Sequence, residues 1–183
     1  MAKTGPDASL KEKVEPLNKP VMLSHGTITC KNLEASRRFY EEFLGLDVVQ
    51  HTERGVLLRK SGYLAIVCLE VGEHVKPVDR QHHWGLDLAS RAEVDRALAL
   101  AHELKDKYGI HQISRITDHH GGYSFYFRDL DDNYWEFQYV GGGQMTGQGR
   151  YDQFFARGDV AEKNKPDWDR NSARHAAASP RET

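Results

Sequence analysis

One order of elements occurs twice along this chain, and that repetition limits the possible folds more than any single motif. Residues 22–30 alternate as a strand does, and Asn32 caps a helix in which Leu33, Phe39, Tyr40, Phe43 and Leu44 recur at three- and four-residue spacing before Gly45 ends it. Val48-Val49, Val56-Leu57-Leu58 and the run from Tyr63 to Val71 then predict three strands. After a break at 72–80 the order returns. His83 to Leu88 predicts a strand, and the capping box Ser90-Arg91-Ala92-Glu93 opens a helix through Val94, Ala97, Leu98, Ala101 and Leu104. Residues 110–116, 122–128 and 134–140 predict three more strands, the last two joined by the turn Asp131-Asp132-Asn133. Neither half, about 21–72 or 81–140, has enough apolar surface to stand comfortably alone. The expectation is an α+β protein: two βαβββ units forming one curved mixed sheet with a cavity inside and helices outside, a single domain over 21–140.

The two ends differ in character from this core. Residues 1–20 are polar, carry Pro6, Pro16 and Pro20 and have no sustained period, which predicts a flexible arm. Residues 141–183 open on Gly141-Gly142-Gly143 and become polar around one apolar island, Tyr151, Phe154 and Phe155, predicting a partly disordered arm that docks on its own domain or on a partner subunit. A chain of 183 residues with 39% hydrophobic content can bury one good core. Its formal net charge of -2 and pI near 6.5 give no general electrostatic ground for binding nucleic acid or an anionic membrane, so the expected partner is a small molecule. No stretch reads as a signal peptide or a membrane span, which places the chain in the cytoplasm. Cys30 and Cys68 form no close pair and read as reduced, partly buried thiols.

Strand parity picks out candidate chemistry. Side chains two apart share a face, so His25 goes with Thr27 and Thr29, His83 with Gly85 and Asp87, and Glu136 with Tyr134 and Gln138. The opposite positions, Ile28 and Cys30, Trp84, Leu86 and Leu88, and Trp135 and Phe137, suit packing under helices. A polar face in an otherwise apolar sheet calls for a ligand. If His25, His83 and Glu136 converge, they make a 2-His-1-carboxylate metal site. Any one of them alone is more simply a surface or hydrogen-bonded residue, and it is their corresponding places in a repeated unit that give them weight.

Over residues 21 to about 140 the chain resembles the vicinal oxygen chelate superfamily, which includes glyoxalases, fosfomycin-resistance thiol transferases, bleomycin-binding proteins and extradiol ring-cleaving dioxygenases. The opening phrase from His25 to Leu33, with Arg38-Phe39-Tyr40 and Leu44-Gly45-Leu46, is similar to that family's first strand and helix, and Asp129 to Glu136 to its aspartate-rich turn and last strand. The resemblance puts the metal ligands at His25, His83 and Glu136, choosing His83 over His82. Within the superfamily, one-domain extradiol dioxygenases are most similar: Ser124-Phe125-Tyr126 ahead of Glu136, the dipeptide His82-His83, and the loop Asp118-His119-His120 match their phrases. This implies iron(II), with manganese(II) or another divalent metal as the alternative, and cleavage of a catechol-like ring with O2 by a homodimer or higher homo-oligomer. Tyr126 would bond a substrate oxygen, with His119 or His120 moving protons. Tyr63 stands where many such enzymes place another active-site His, and so joins the catalytic candidates. Two other outcomes stay open, a glyoxalase-type lyase/isomerase or thiol transferase and a non-enzymatic resistance protein. An isomerase of this kind needs a fourth ligand, for which Glu70 is the nearby candidate, whereas an intact triad counts against pure sequestration.

Overall fold

The computed structural model describes residues 16–60, 62, 64–119 and 122–140, and the chain divides into two compact units, Met1–Val75 and Lys76–Thr183. The expected arms fall almost wholly outside the described residues, as do Tyr63 and His120. In the first unit β1 (His25–Cys30) leads to α1 (Leu33–Glu42), then β2 (Asp47–Thr52), β3 (Gly55–Arg59) and β4 (Ala65–Glu70). The sheet order is β1-β4-β3-β2, with β1 parallel to β4 and the remaining pairs antiparallel.

Local chemistry sets the limits of α1. Asn32 Oδ1 accepts the Ala35 N–H at 2.9 Å, and Glu70, at the end of β4, accepts the Leu33 N–H at 2.7 Å, so two otherwise orphaned donors are satisfied. At the other end Leu46 N–H reaches Tyr40 O at 3.0 Å across Gly45, whose φ of 67° is a conformation that side chains disfavour. Leu33, Phe39 and Tyr40 of α1 are buried with Ile28, Cys30, Val48, Val56, Leu58 and Cys68 from the strands. By register, His25, Thr27 and Thr29 share the opposite face with Ala65, Val67 and Leu69.

The second unit repeats the plan with β5 (His83–Asp87), α2 (Arg91–Tyr108), β6 (Thr117–His119), β7 (Gly122–Arg128) and β8 (Tyr134–Val140), in the order β5-β8-β7-β6. Ser90 Oγ accepts the Glu93 N–H at 3.2 Å, as the capping box predicts. The helix runs four residues past Leu104, to Tyr108, because it is Gly109 that closes it. Gly109 has φ 65° and gives its N–H to Lys105 O, and a Cβ there would meet Leu130 Cβ at 2.9 Å. Phe125, Phe127 and Phe137 pack with centroids 5.4–5.9 Å apart beside the fully buried Trp135. The α+β class with paired βαβββ units is thus present, each unit carrying its own four-stranded mixed sheet.

One strand differs from expectation. Residues 110–116 lie along β7 but join it as a ladder only at His111, bridged to Arg128; the regular strand begins at Thr117. Gln112 has a positive φ of 48°, and Tyr126 N–H is taken by Ser114 Oγ at 2.9 Å in place of a backbone carbonyl. An alternating pattern does not report a side chain that substitutes for the ladder. No helix among the described residues is long and apolar enough to cross a membrane.

The β7–β8 turn is built by a buried carboxylate. Asp129 Oδ1 accepts the N–H groups of Asp131 and Asn133, each at 2.9 Å, and Oδ2 accepts Asn133 Nδ2 at 3.1 Å and Trp135 Nε1 at 2.9 Å. Asp129→Asn would turn an acceptor into an NH2 donor facing these donors. It is expected to cost about 1–3 kcal/mol, the range for a buried polar group left unsatisfied, read as a lower urea midpoint at unchanged slope; an unchanged midpoint would contradict this role.

Candidate metal centre

His83 opens β5 and Glu136 lies in the middle of β8, and because the two strands pair in parallel with Gly85 opposite Glu136, their side chains meet on the sheet face away from α2. His83 Nε2 stands 3.3 Å from Glu136 Oε2. The other ring nitrogen, Nδ1, donates to the Arg80 carbonyl at 2.8 Å. That bond fixes the neutral ring as the Nδ1–H tautomer and turns the Nε2 lone pair toward a carboxylate oxygen. Two acceptors at this separation repel unless a cation, whether a proton or a metal ion, lies between them.

Tyr126 completes the cluster from β7, directly opposite Glu136 in the antiparallel ladder. Its ring meets the His83 ring edge-on, with centroids 5.1 Å apart. Burial, reinforced by its hydrogen bond to Glu136, pushes the Tyr126 hydroxyl up to about 12, so it keeps its proton at neutral pH. Burial alone would raise the Glu136 carboxyl, but hydrogen bonds from His83, Tyr126 and Ser124 outweigh it and hold the group below its ordinary range. The Glu136 hydrogen bond raises His83 in turn, against the opposing effect of burial.

The loop before β5 is held from the hairpin. Arg128 Nη2 donates to Val78 O at 2.9 Å, while its Nη1 bonds Asp132 O at 3.3 Å and Asp132 Oδ1 at 3.1 Å. The buried turn at Asp129 therefore connects through Arg128 to the loop whose Arg80 carbonyl orients His83. Arg80 does not stand out in the sequence as a site residue, and Ser124 does so only within the phrase Ser124-Phe125-Tyr126. A backbone carbonyl three residues ahead carries no side-chain signal, although parity with Tyr126 points to Ser124.

His25 belongs to the first unit, at the start of β1, with its Nδ1 2.9 Å from Ser24 Oγ. Within neither unit do the described residues gather three His, Cys, Asp or Glu side chains able to hold a metal. His119 lies on β6, its backbone paired with Gly122. Tyr63 and His120 lie outside the described residues. Glu70 is committed to the Leu33 N–H at the start of α1. For a divalent metal the donor set of the second unit fits: an imidazole with its far nitrogen on a carbonyl, beside a carboxylate below its ordinary range, is the arrangement that supports metal ligation.

These features define an α+β protein of two βαβββ units with a histidine–carboxylate pair, backed by a tyrosine, on the face of the second unit's sheet away from α2. The chain belongs to the Glyoxalase/Bleomycin resistance protein/Dioxygenase superfamily, whose sequence profile matches residues 22–137. Three solved structures are similar to it in fold. One is the genomically encoded fosfomycin resistance protein FosX from Listeria monocytogenes, 20% identical, with a TM-score of 0.53 over 69% of this chain and 97% of that one. Oxidase ChaP-H2 is 20% identical, with a TM-score of 0.52 over 69% and 98%. A glyoxalase/bleomycin resistance protein/dioxygenase from Nocardioides is 20% identical, with a TM-score of 0.51 over 73% and 91%. No match is found among curated protein sequences. The superfamily includes dioxygenases, glyoxalase lyases and fosfomycin resistance enzymes, which are mostly metal-dependent, act on small molecules and often form oligomers.

The shifts of the pair fix a pH dependence for the metal-free protein. His83 is raised, so its contribution is fully present below its ordinary 6.5 and is lost as pH climbs through the folded value. Glu136 is lowered, so its contribution is present above its ordinary 4.5 and is lost as pH falls through the folded value. Both operate together between 4.5 and 6.5. The gap in urea stability between chelator-treated wild type and Glu136→Gln is expected to be wider at about pH 5.5 than at about pH 8.5. An equal gap at both would show that the pair is not coupled.

Proposed function

We propose that this protein is a metal-dependent dioxygenase that opens a catechol-like ring beside its two hydroxyls, with iron(II) as the first choice of metal and manganese(II) as the second. The observation that carries this reading is Tyr126, directly opposite Glu136 in the β7–β8 ladder and lying edge-on to His83. His83 and Glu136 would hold the metal, and the resemblance assigns His25 as the third ligand. Ferrous iron, when bound, supplies adjacent positions for two substrate oxygens and for dioxygen. Both atoms of O2 enter the product as the ring C–C bond breaks, so the overall reaction balances without an external reductant.

The chain's own groups divide the remaining work. Tyr126 keeps its proton at neutral pH, so it would act as a donor rather than as a base, its single O–H turning from Glu136 to a substrate oxygen once that carboxylate holds a metal. His119 or His120, as the resemblance implies, would accept and return the catechol proton. Tyr63 completes the assigned set. The isomerase reading is the weaker one, because the carboxylate it would use, Glu70, accepts the first N–H of α1. Without a free carboxylate there, proton abstraction next to a carbonyl lacks its base.

Two measurements test the reading. Anaerobic reconstitution with ferrous iron, followed by oxygen uptake against a panel of catechols, is expected to consume one O2 per ring opened; no uptake with any catechol from iron-loaded protein would overturn the dioxygenase assignment. Loss of a histidine's hydrogen-bond partner costs a metal site about 10–100-fold, so loss of a ligand costs more. His83→Ala is accordingly expected to weaken metal affinity by more than about 100-fold, and Ser24→Ala, which removes the partner of His25 Nδ1, by about tenfold. Full stoichiometry and affinity in His83→Ala would refute the ligand set.

A further inference from the structure

We propose that Arg80 is the specificity-determining residue of this site and that the ring it admits carries a carboxylate, making the substrate a catecholic acid rather than a neutral catechol. The inference rests on the ring-cleavage reading and adds the substrate class to it. The Arg80 guanidinium carbon stands 5.4 Å from the centroid of the Tyr126 ring, whose other neighbour is His83 at 5.1 Å. A full positive charge therefore lies about one aromatic ring away from the histidine–carboxylate pair.

Arg37, Arg38, Arg91 and Arg96 each pair with a carboxylate, on Glu41, Glu42, Asp118 and Glu93, but among the described residues no acid pairs with Arg80. Its backbone, by contrast, is fixed. Arg128 holds Val78 O at 2.9 Å, His82 N–H donates to Asp79 O at 2.8 Å, and the Arg80 carbonyl takes the His83 Nδ1–H at 2.8 Å. The backbone is thus anchored while the exposed guanidinium lies over the Tyr126 ring, and an arginine fork binds a planar anion through two parallel hydrogen bonds.

The rest of the face explains why such a charge is needed. Glu136 and Asp87 both lie on it, so an acidic substrate approaches two carboxylates of its own sign. Arg80 offsets them at the edge next to Tyr126. On the other side, Gly85 brings backbone against the pair: a Cβ there would touch Glu136 Oε2 at 3.7 Å and Gln138 Nε2 at 3.5 Å.

The test uses two probes that differ in one charge, 3,4-dihydroxyphenylacetate and its methyl ester, titrated calorimetrically into the anaerobic iron-loaded protein. Wild type is expected to bind the acid about tenfold more tightly than the ester at about 0.05 M salt, with the preference shrinking several-fold at about 0.5 M. Arg80→Met is expected to bring acid and ester within about twofold of each other, and Arg80→Lys to retain part of the preference, as a point charge without the planar fork. Equal binding of acid and ester by wild type, or an undiminished preference in Arg80→Met, would overturn the role of Arg80 and leave the ring-cleavage reading standing. Binding of neither probe would remove both.

Discussion

The second unit is organised around the buried carboxylate of Asp129. Four N–H groups, two from backbone and one each from Asn133 and Trp135 side chains, converge on its two oxygens and close the turn between β7 and β8. With the turn closed in that geometry, the ladder register follows: Tyr126 falls opposite Glu136, and Arg128 opposite Tyr134. Arg128 then reaches Asp132 on one side and Val78 on the other. A turn that at first serves only to reverse the chain thus positions the tyrosine, the glutamate and, through the 78–80 loop, the tautomer of the histidine.

Much of this was legible in the sequence for identifiable reasons. The caps Asn32 and Ser90 and the stop Gly45 act locally, so residue type reports them directly. Parity placed His83, Gly85, Glu136 and Gln138 on one face because a strand has no freedom to do otherwise. The residues that escaped notice act through backbone or at long range. The Arg80 carbonyl has no sequence signature, the Ser114 hydroxyl stands in for a ladder carbonyl, and the Glu70 carboxylate crosses 37 residues to cap α1. Glu70 shows the risk of reading a carboxylate by strand position alone, since a candidate ligand was in fact satisfying a helix terminus.

The same physics links fold to chemistry. A neutral imidazole whose Nδ1–H is bound to a carbonyl has only its Nε2 lone pair to offer, and the group facing it is a carboxylate kept below its ordinary range. In metal-free protein a proton fills that position at low pH. A divalent cation held by the pair, as proposed above, would compete for the same place, and its affinity would then increase as pH climbs through the raised value of His83.

The claim that His83 presents Nε2 to a cation beside Glu136 is tested most directly by the 15N NMR of its ring during titration of metal-free protein with zinc, the resonances being assigned by comparison with His83→Ala. The account predicts that Nδ1 stays protonated throughout and that Nε2 alone takes the shift of metal ligation. Metal carried on Nδ1, or ring nitrogens that do not respond at saturating zinc, would contradict it.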